Sequence, residues 1–149
     1  MSNHIRIKNK KAYFEYHIVE KVVAGIVLQG TEIKAIRNGR ASIGEAYCRY
    51  EGTELYVVNM HISEYMYGTY NNHEPKRVRK LLLSKKELRK WERKIKERGF
   101  SIVPLTLFIN GKGLAKLEIA LVTGKKLYDK RNAIKEREQN RDIKKDYGL

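Results

Sequence analysis

Basic side chains are the residues of this sequence whose types and spacing point most directly to a chemistry. Residues 76–80 (KRVRK) place four cations around one valine, and basic pairs follow at 125–126 and 130–131. Lysine and arginine neutralise phosphates and release the counterions condensed on a nucleic acid, which favours binding. A single basic run is usually only solvated surface. The recurrence of such runs in one short chain favours a polyanion as the partner.

A tyrosine-rich segment precedes the first basic run. Residues 65–70 (YMYGTY) carry three tyrosines, and an aromatic ring is a stacking platform for an unpaired base. Packing in a core or a hairpin is the alternative role for some of these rings. Together with the neighbouring cations, the segment is a candidate contact for nucleic acid.

Metal-ligating and nucleophilic residues form no recognisable site. The four histidines, at 4, 17, 61 and 73, lack the spacing of metal ligands, and His61 is the one to test. Cys48 is the single cysteine and lies in an alternating pattern, which predicts a buried, reduced thiol in a strand. Residues 111–113 (GKG) lack the rest of a phosphate-binding loop, and no serine or cysteine lies in a nucleophile elbow. The sequence predicts no catalytic residue, no metal, no cofactor and no enzyme.

The charge balance of the whole chain supports the same partner. The 149 residues include 32 Lys and Arg against 17 Asp and Glu, a net charge of +15, while 42% hydrophobic residues provide for one modest core. An anionic membrane is the competing partner, but we find no basic amphipathic helix with a wide apolar face and no lipidation signal. We also find no apolar run that could span a bilayer and no signal peptide after Met1. We therefore expect a nucleic-acid-binding protein. The single, reduced cysteine favours the cytoplasm, and we expect the protein to be a monomer.

The first half of the chain is predicted to form strands interrupted by a short helix. Residues 1–12 are polar and basic, which predicts a loose arm. Strands are predicted at 13–18 and 21–28, with a bulge or bend at Gly25. Thr31 is expected to cap a short helix that Asn38-Gly39 ends. Strands at 45–50 and 54–60 then form a hairpin.

The second half begins with a predicted surface loop at 61–80, a length that is often functional in small domains. Ser84 is expected to cap a helix with Glu87 at the capping-box position and Gly99 at its end. Leu88, Trp91 and Ile95 form its apolar stripe. The sequence NGKG at 110–113 predicts a hairpin between strands at 102–109 and 114–122, with Pro104 at an edge or bulge.

The C-terminal segment has a different composition. Residues 125–149 contain few large aliphatics but many good helix formers. This predicts two parts: an RNA-binding barrel over 1–124, and a basic tail over 125–149 that is disordered when free and helical when bound. The fold class is mainly β, a small Greek-key, OB-like barrel with two or three flanking helices and this tail.

Short motifs along almost the whole chain form its most specific pattern. The longest is 24–34 (AGIVLQGTEIK), followed by Arg37, Gly39 and Arg40. Others are NKKA at 9–12, NMHI at 59–62, RKLLL at 79–83, VPL at 103–105, GKK at 124–126 and YDKR at 128–131. In this order they resemble the small protein B family, the SsrA-binding proteins of bacteria. Val22, Val23, Ser84 and Tyr128 depart from the residues common in that family.

The resemblance implies a barrel that binds the tRNA-like part of transfer-messenger RNA and delivers it to stalled ribosomes for trans-translation. The implied RNA-binding residues are Glu32, Lys34, Arg37, Gly39, Arg40, His61, Arg77, Arg79 and Lys80. The resemblance also implies that the tail contacts the mRNA channel of the small ribosomal subunit through Lys125, Lys126, Tyr128, Asp129, Lys130 and Arg131. A carboxylate such as Glu32 either accepts from a guanine edge or orients a neighbouring cation.

Two other functions remain open from the residues alone. A structural ribosomal protein would also carry a basic tail, but it would be present on every ribosome in a one-to-one ratio. An RNA-processing enzyme would turn over labelled RNA with Mg²⁺.

Overall fold

The computed structural model describes residues 5–67 and 72–124. Within these residues, nine strands and three helices lie in chain order: β1 Arg6–Lys8, α1 Lys10–Glu15, β2 Tyr16–Ile26, α2 Gly30–Arg37, β3 Ala41–Ser42, β4 Tyr47–Glu51, β5 Glu54–Val58, β6 His61–Ile62, β7 Arg79–Leu82, α3 Lys85–Arg98, β8 Ser101–Ile109 and β9 Ala115–Gly124.

Six antiparallel strands close into a ring. Their order is β8-β4-β5-β7-β2-β9, and β9 pairs again with β8, while β1 pairs with β8 beside β4. The inward side chains of these strands form a core that includes Leu55, Leu81, Leu107 and Leu117, all with 0% exposure. The predicted mainly β, OB-like barrel with flanking helices is therefore confirmed.

The antiparallel order gives the barrel two distinct ends. At the α2 end, β2 finishes at Ile26, which pairs with Leu81 of β7. At the other end, Tyr16 pairs with Gly124, and α3 packs close by. The Trp91 indole of α3 donates to Glu20 over 2.6 Å, and the Tyr50 hydroxyl donates to the carbonyl of Leu88 over 2.7 Å. The two helices therefore cover opposite ends of one core.

The N-terminal segment differs from the predicted loose arm over the residues described. Residues 6–8 form β1, and Asn9, which is 3% exposed, caps α1 by accepting from the backbone N–H of Ala12. Its side-chain amide also donates to the carbonyls of Ile43 and Pro104 at 3.2 and 2.9 Å. The prediction was wrong because the composition of the segment is polar, whereas the pairing of β1 with β8 and the buried side chain of Asn9 tie it to the barrel.

The predicted strands at 13–18 and 21–28 are one strand, β2, preceded by α1. Its register shifts between Ile18 and Glu20, not at Gly25 as expected. Gly25 instead allows close pairing, because an added Cβ there would lie 3.2 Å from the Cβ of Leu82. The glycine therefore lets β7 approach β2.

The predicted cap and end of α3, the bulge at Pro104 and the buried Cys48 are confirmed. Ser84 and Glu87 form the capping box of α3, which ends at Gly99 with φ 67°. A register shift between Pro104 and Thr106 accommodates the proline within β8. Cys48 is buried, and burial raises the pKa of its thiol. Among the described helices, none is long and apolar enough to cross a membrane.

Candidate nucleic-acid interface

The N-cap of α2 lies two residues earlier than predicted. Gln29 is the N-cap, and the backbone N–H of Gln29 donates to the carboxylate of Glu32 over 2.8 Å. The hydroxyl of Thr31, the expected cap, instead lies 2.8 Å from Nδ1 of His73. As predicted, Asn38 and Gly39 end the helix, Gly39 with φ 72°.

Glu32 is the centre of a buried charge network. Its side chain and that of Arg79 both have 0% exposure, and the two form an ion pair through Nε of Arg79. Arg77 donates to the other carboxylate oxygen over 2.6 Å. Arg79 also donates to the carbonyl of Met60 over 2.7 Å and to that of Pro75 over 3.1 Å. These bonds compensate the buried charges of Glu32 and Arg79, which would otherwise be strongly unfavourable. Nε of Arg77 is buried and has no hydrogen-bond partner among the described residues.

The network keeps Glu32 ionised. Burial works to raise the pKa of its carboxyl, but hydrogen bonds from Arg77, the Gln29 backbone and Arg79 outweigh that effect, so the pKa lies below the ordinary value of 4.5. Arginine stays protonated at all physiological pH values. The paired charges therefore persist over the working range and fix α2 against β7.

The predicted RNA-binding residues divide into two groups by exposure. Glu32 and Arg79 point into the molecule, whereas Lys34, Arg37, Gly39 and Arg40 are exposed. Around them His61 and Arg77 are partly buried, and Lys80 keeps 41% of its side chain exposed beside Glu54, 3.6 Å away. The geometry brings all nine to the α2 end of the barrel or to strands adjoining it. Glu32 can orient its cationic neighbours, which is the second of its two predicted roles.

His73 is a residue of this region that the sequence did not single out. Its ring is 3% exposed and bridges two elements, because Nε2 lies 2.8 Å from the carbonyl of Ile62 and Nδ1 faces Thr31. The Ile62 carbonyl is only an acceptor, so Nε2 donates to it and, in the neutral ring, Nδ1 accepts from the Thr31 hydroxyl. His73 thereby fastens the segment after the tyrosine-rich stretch to the first turn of α2.

No signal in the sequence distinguishes His73 from the other histidines. Its partners lie 11 and 42 positions away along the chain. Within the described residues, no group of three His, Cys, Asp or Glu is arranged to hold a metal ion.

The predicted tail residues, Lys125, Lys126, Tyr128, Asp129, Lys130 and Arg131, lie outside the described residues. The last described residue, Gly124, pairs with Tyr16 at the α3 end. The chain therefore passes into residues 125–149 at the end of the barrel opposite α2.

Comparisons with known proteins agree on one family. The model of the family described as SmpB protein matches residues 6–148. The SsrA-binding protein of Phocaeicola vulgatus is 58% identical over 93% of this chain and 93% of its own length. That of Parabacteroides distasonis is 57% identical over 96% of this chain and 94% of its own length.

A solved structure gives the same result. One chain described in the words "tmRNA-SmpB: a journey to the center of the bacterial ribosome" has a TM-score of 0.71 and 39% identity to this one. The alignment covers 87% of this chain and 94% of that chain.

Proposed function

The chain belongs to the SmpB family, and on that premise we propose that it binds transfer-messenger RNA, the SsrA RNA, and delivers it to stalled ribosomes for trans-translation. Relatives named SsrA-binding protein cover more than nine tenths of the chain, and the similar solved chain is described with tmRNA and the ribosome. The protein acts by binding in the cytoplasm and catalyses no reaction.

One structural observation carries the assignment of the RNA-binding face. The buried pair of Glu32 and Arg79 fixes α2 on the barrel, and α2 presents Lys34 and Arg37 to solvent, with Arg40 just beyond. Because Glu32 is paired with a buried arginine, it does not neutralise the exposed cations of the surface. Outward cations on a helix that is fixed in place suit phosphate contacts, which supply a large share of the affinity for a nucleic acid and set its orientation.

We assign different tasks to the two ends of the barrel. The α2 end binds the small RNA through the exposed cations and His61. The tail, which begins beyond Gly124 at the α3 end, engages the ribosome through residues 125–131. Separate ends allow one protein to hold both partners at once.

The salt dependence of RNA binding tests the assignment of the α2 end. Replacing Lys34, Arg37 or Lys80 singly by Ala should weaken binding to transfer-messenger RNA. Each lost phosphate contact should reduce the slope of log K against log salt by about 0.7–0.9. Lys85→Ala, an exposed cation at the α3 end, is the matched control and should leave the slope unchanged.

Two results would contradict the proposal. Equal slopes for all four variants would place the RNA elsewhere on the protein. If the protein instead purified with ribosomal RNA, and one copy of the protein were present on every ribosome, a structural ribosomal protein would be the better assignment.

A further inference from the structure

Two large side chains with apolar surface are mostly exposed to solvent beside the C-terminal end of α2. Tyr67 is 78% exposed and Met66 is 66% exposed, although apolar side chains of this size gain free energy by burial. Exposed aromatic and apolar groups next to one another mark sites where another molecule docks.

These side chains line a cleft of about 340 Å³ that also includes Ala35, Asn38, Arg40, Glu64 and Tyr65. The volume lies within the range of about 300–1,000 Å³ that is typical of sites for small organic groups. The cleft is therefore large enough for a planar ring system to enter.

The wall of the cleft is held in place. Asn72 binds the backbone of Tyr65 twice, accepting from its N–H at 3.1 Å and donating to its carbonyl at 2.8 Å. The N–H of Ser63 donates to the carbonyl of Arg40 over 2.9 Å, which attaches the same segment to the end of α2. A fixed aromatic wall loses little conformational entropy when a ligand binds.

The rings are arranged in a way that leaves one of them available. Tyr65 packs edge-to-face on Tyr67 with centroids 5.7 Å apart, and Nζ of Lys34 lies 5.4 Å from the Tyr65 centroid. The Tyr65 ring is already in contact with the Lys34 cation and with Tyr67. Tyr67 is the more exposed of the two rings, so its face is available for stacking. Asn38, Arg40 and Glu64 supply both hydrogen-bond donors and acceptors at the cleft.

From this geometry we propose that the cleft holds an unpaired nucleobase of the bound RNA, stacked on Tyr67. The proposal rests on the proposed function and names the part of the RNA that this site recognises. Exposed apolar rings alone would equally suit a protein partner. The cations Lys34 and Arg40 favour RNA, because a phosphate flanks every base that stacks, and splayed bases are the usual target of aromatic side chains.

The test measures binding of the full chain to transfer-messenger RNA at several salt concentrations. Stacking contributes enough per base that Tyr67→Ala and Tyr67→Leu should each weaken binding about 5- to 150-fold. Tyr67→Phe keeps the ring and should bind within about twofold of wild type, because stacking needs the π-face and not the hydroxyl. The salt slope should stay constant, since a stacked ring releases no counterion.

Tyr13→Ala is the matched control. Tyr13 is 45% exposed and also has a lysine over its ring, Lys21 at 5.6 Å. It lies on α1, which leads into Tyr16 at the α3 end, so its removal should leave affinity unchanged. A second readout uses RNA with 2-aminopurine at unpaired positions, whose fluorescence wild type and Tyr67→Phe should quench and Tyr67→Ala should not.

Four other outcomes would contradict the stacking of a base on Tyr67, and they differ in what they say about the proposed function. If Tyr67→Ala binds as wild type does, no base stacks there, while the proposed function stands. Equal losses in Tyr67→Phe and Tyr67→Ala would assign the effect to the hydroxyl and exclude stacking. If wild type itself fails to bind the RNA, the proposed function fails as well. Unchanged RNA binding with a lost protein contact would identify the cleft as a protein-docking site.

Discussion

Glu32 shows how one buried residue can matter for binding without reaching the ligand. Its carboxylate accepts from Arg77, Arg79 and the Gln29 backbone, and its side chain has no exposed surface. A side chain in this position acts on the RNA only through the elements that it holds. Its loss should therefore appear first as a loss of stability.

We predict that Glu32→Gln lowers the free energy of unfolding by about 3–5 kcal/mol at neutral pH, the usual cost of leaving a buried charge without its partner. The loss should depend on pH. The folded-state pKa of Glu32 is depressed below 4.5, so its stabilisation is complete above that value and falls as the pH drops through the folded-state pKa. Urea unfolding of both proteins at a series of pH values measures this difference, which should shrink in acid.

Glu54→Gln provides the control for that measurement. Glu54 forms an ion pair with Lys80 at 3.6 Å, but the two side chains are 42% and 41% exposed, and such pairs contribute less than about 1 kcal/mol. Equal losses in the two variants, or a difference that stays constant down to low pH, would contradict the assigned role of Glu32.

At the scale of elements, α2 depends on how it ends as well as on what it packs against. Gly39 follows the helix with φ 72°, in the left-handed region. The N–H of Gly39 donates to the carbonyl of Ile36 over 2.8 Å, and the chain then turns towards Arg40 and the cleft. The position of Arg40 therefore depends on a conformation that glycine adopts without strain.

We predict that Gly39→Ala lowers the free energy of unfolding by about 1–2 kcal/mol, because an L-residue is strained in this conformation. An added Cβ would meet nothing within 4 Å, so the cost comes from the backbone and not from a clash. Chemical denaturation measures it.

Gly44→Ala is the matched control, since a Cβ there also meets open space and the backbone lies outside the left-handed region. It should change stability by less than about 0.5 kcal/mol. Similar effects at both positions would show that φ at Gly39 is not the determining factor.

At the scale of the whole molecule, the two ends of the barrel separate the two proposed partners. The nine RNA-binding candidates gather at or beside the α2 end, while Gly124 leaves the barrel next to Tyr16 at the α3 end. The separation means that removing the tail need not disturb the RNA-binding face.

We predict that truncation after Gly124 leaves the affinity for transfer-messenger RNA within a few-fold of wild type but abolishes tagging of peptides on stalled ribosomes. Quantitative RNA binding and a reconstituted tagging reaction measure the two activities separately. A tail of the same composition in scrambled order is the control, because it keeps the charge and loses the order of residues 125–131. A large loss of RNA affinity on truncation, or full tagging by the scrambled protein, would contradict this division.

The sequence alone determined the features that depend on neighbouring residues and on periodicity. The capping box of α3, its buried Leu88 and Trp91, and the stop at Asn38 and Gly39 are as predicted. Alternating strands and their turns likewise predicted a mainly β barrel. Such signals are local, because a cap or a turn is made by residues within about five positions of each other.

Tertiary structure decided the features that join distant parts of the chain. Asn9 reaches Pro104, 95 positions away, and turns a polar segment into a fixed part of the barrel. Glu32 meets Arg79 across 47 positions, and His73 meets Thr31 across 42. A basic run in a sequence does not reveal which of its members points outward. In residues 76–80 the structure buries Arg79 and leaves Lys80 partly exposed, because alternate side chains of a strand face opposite sides of the sheet.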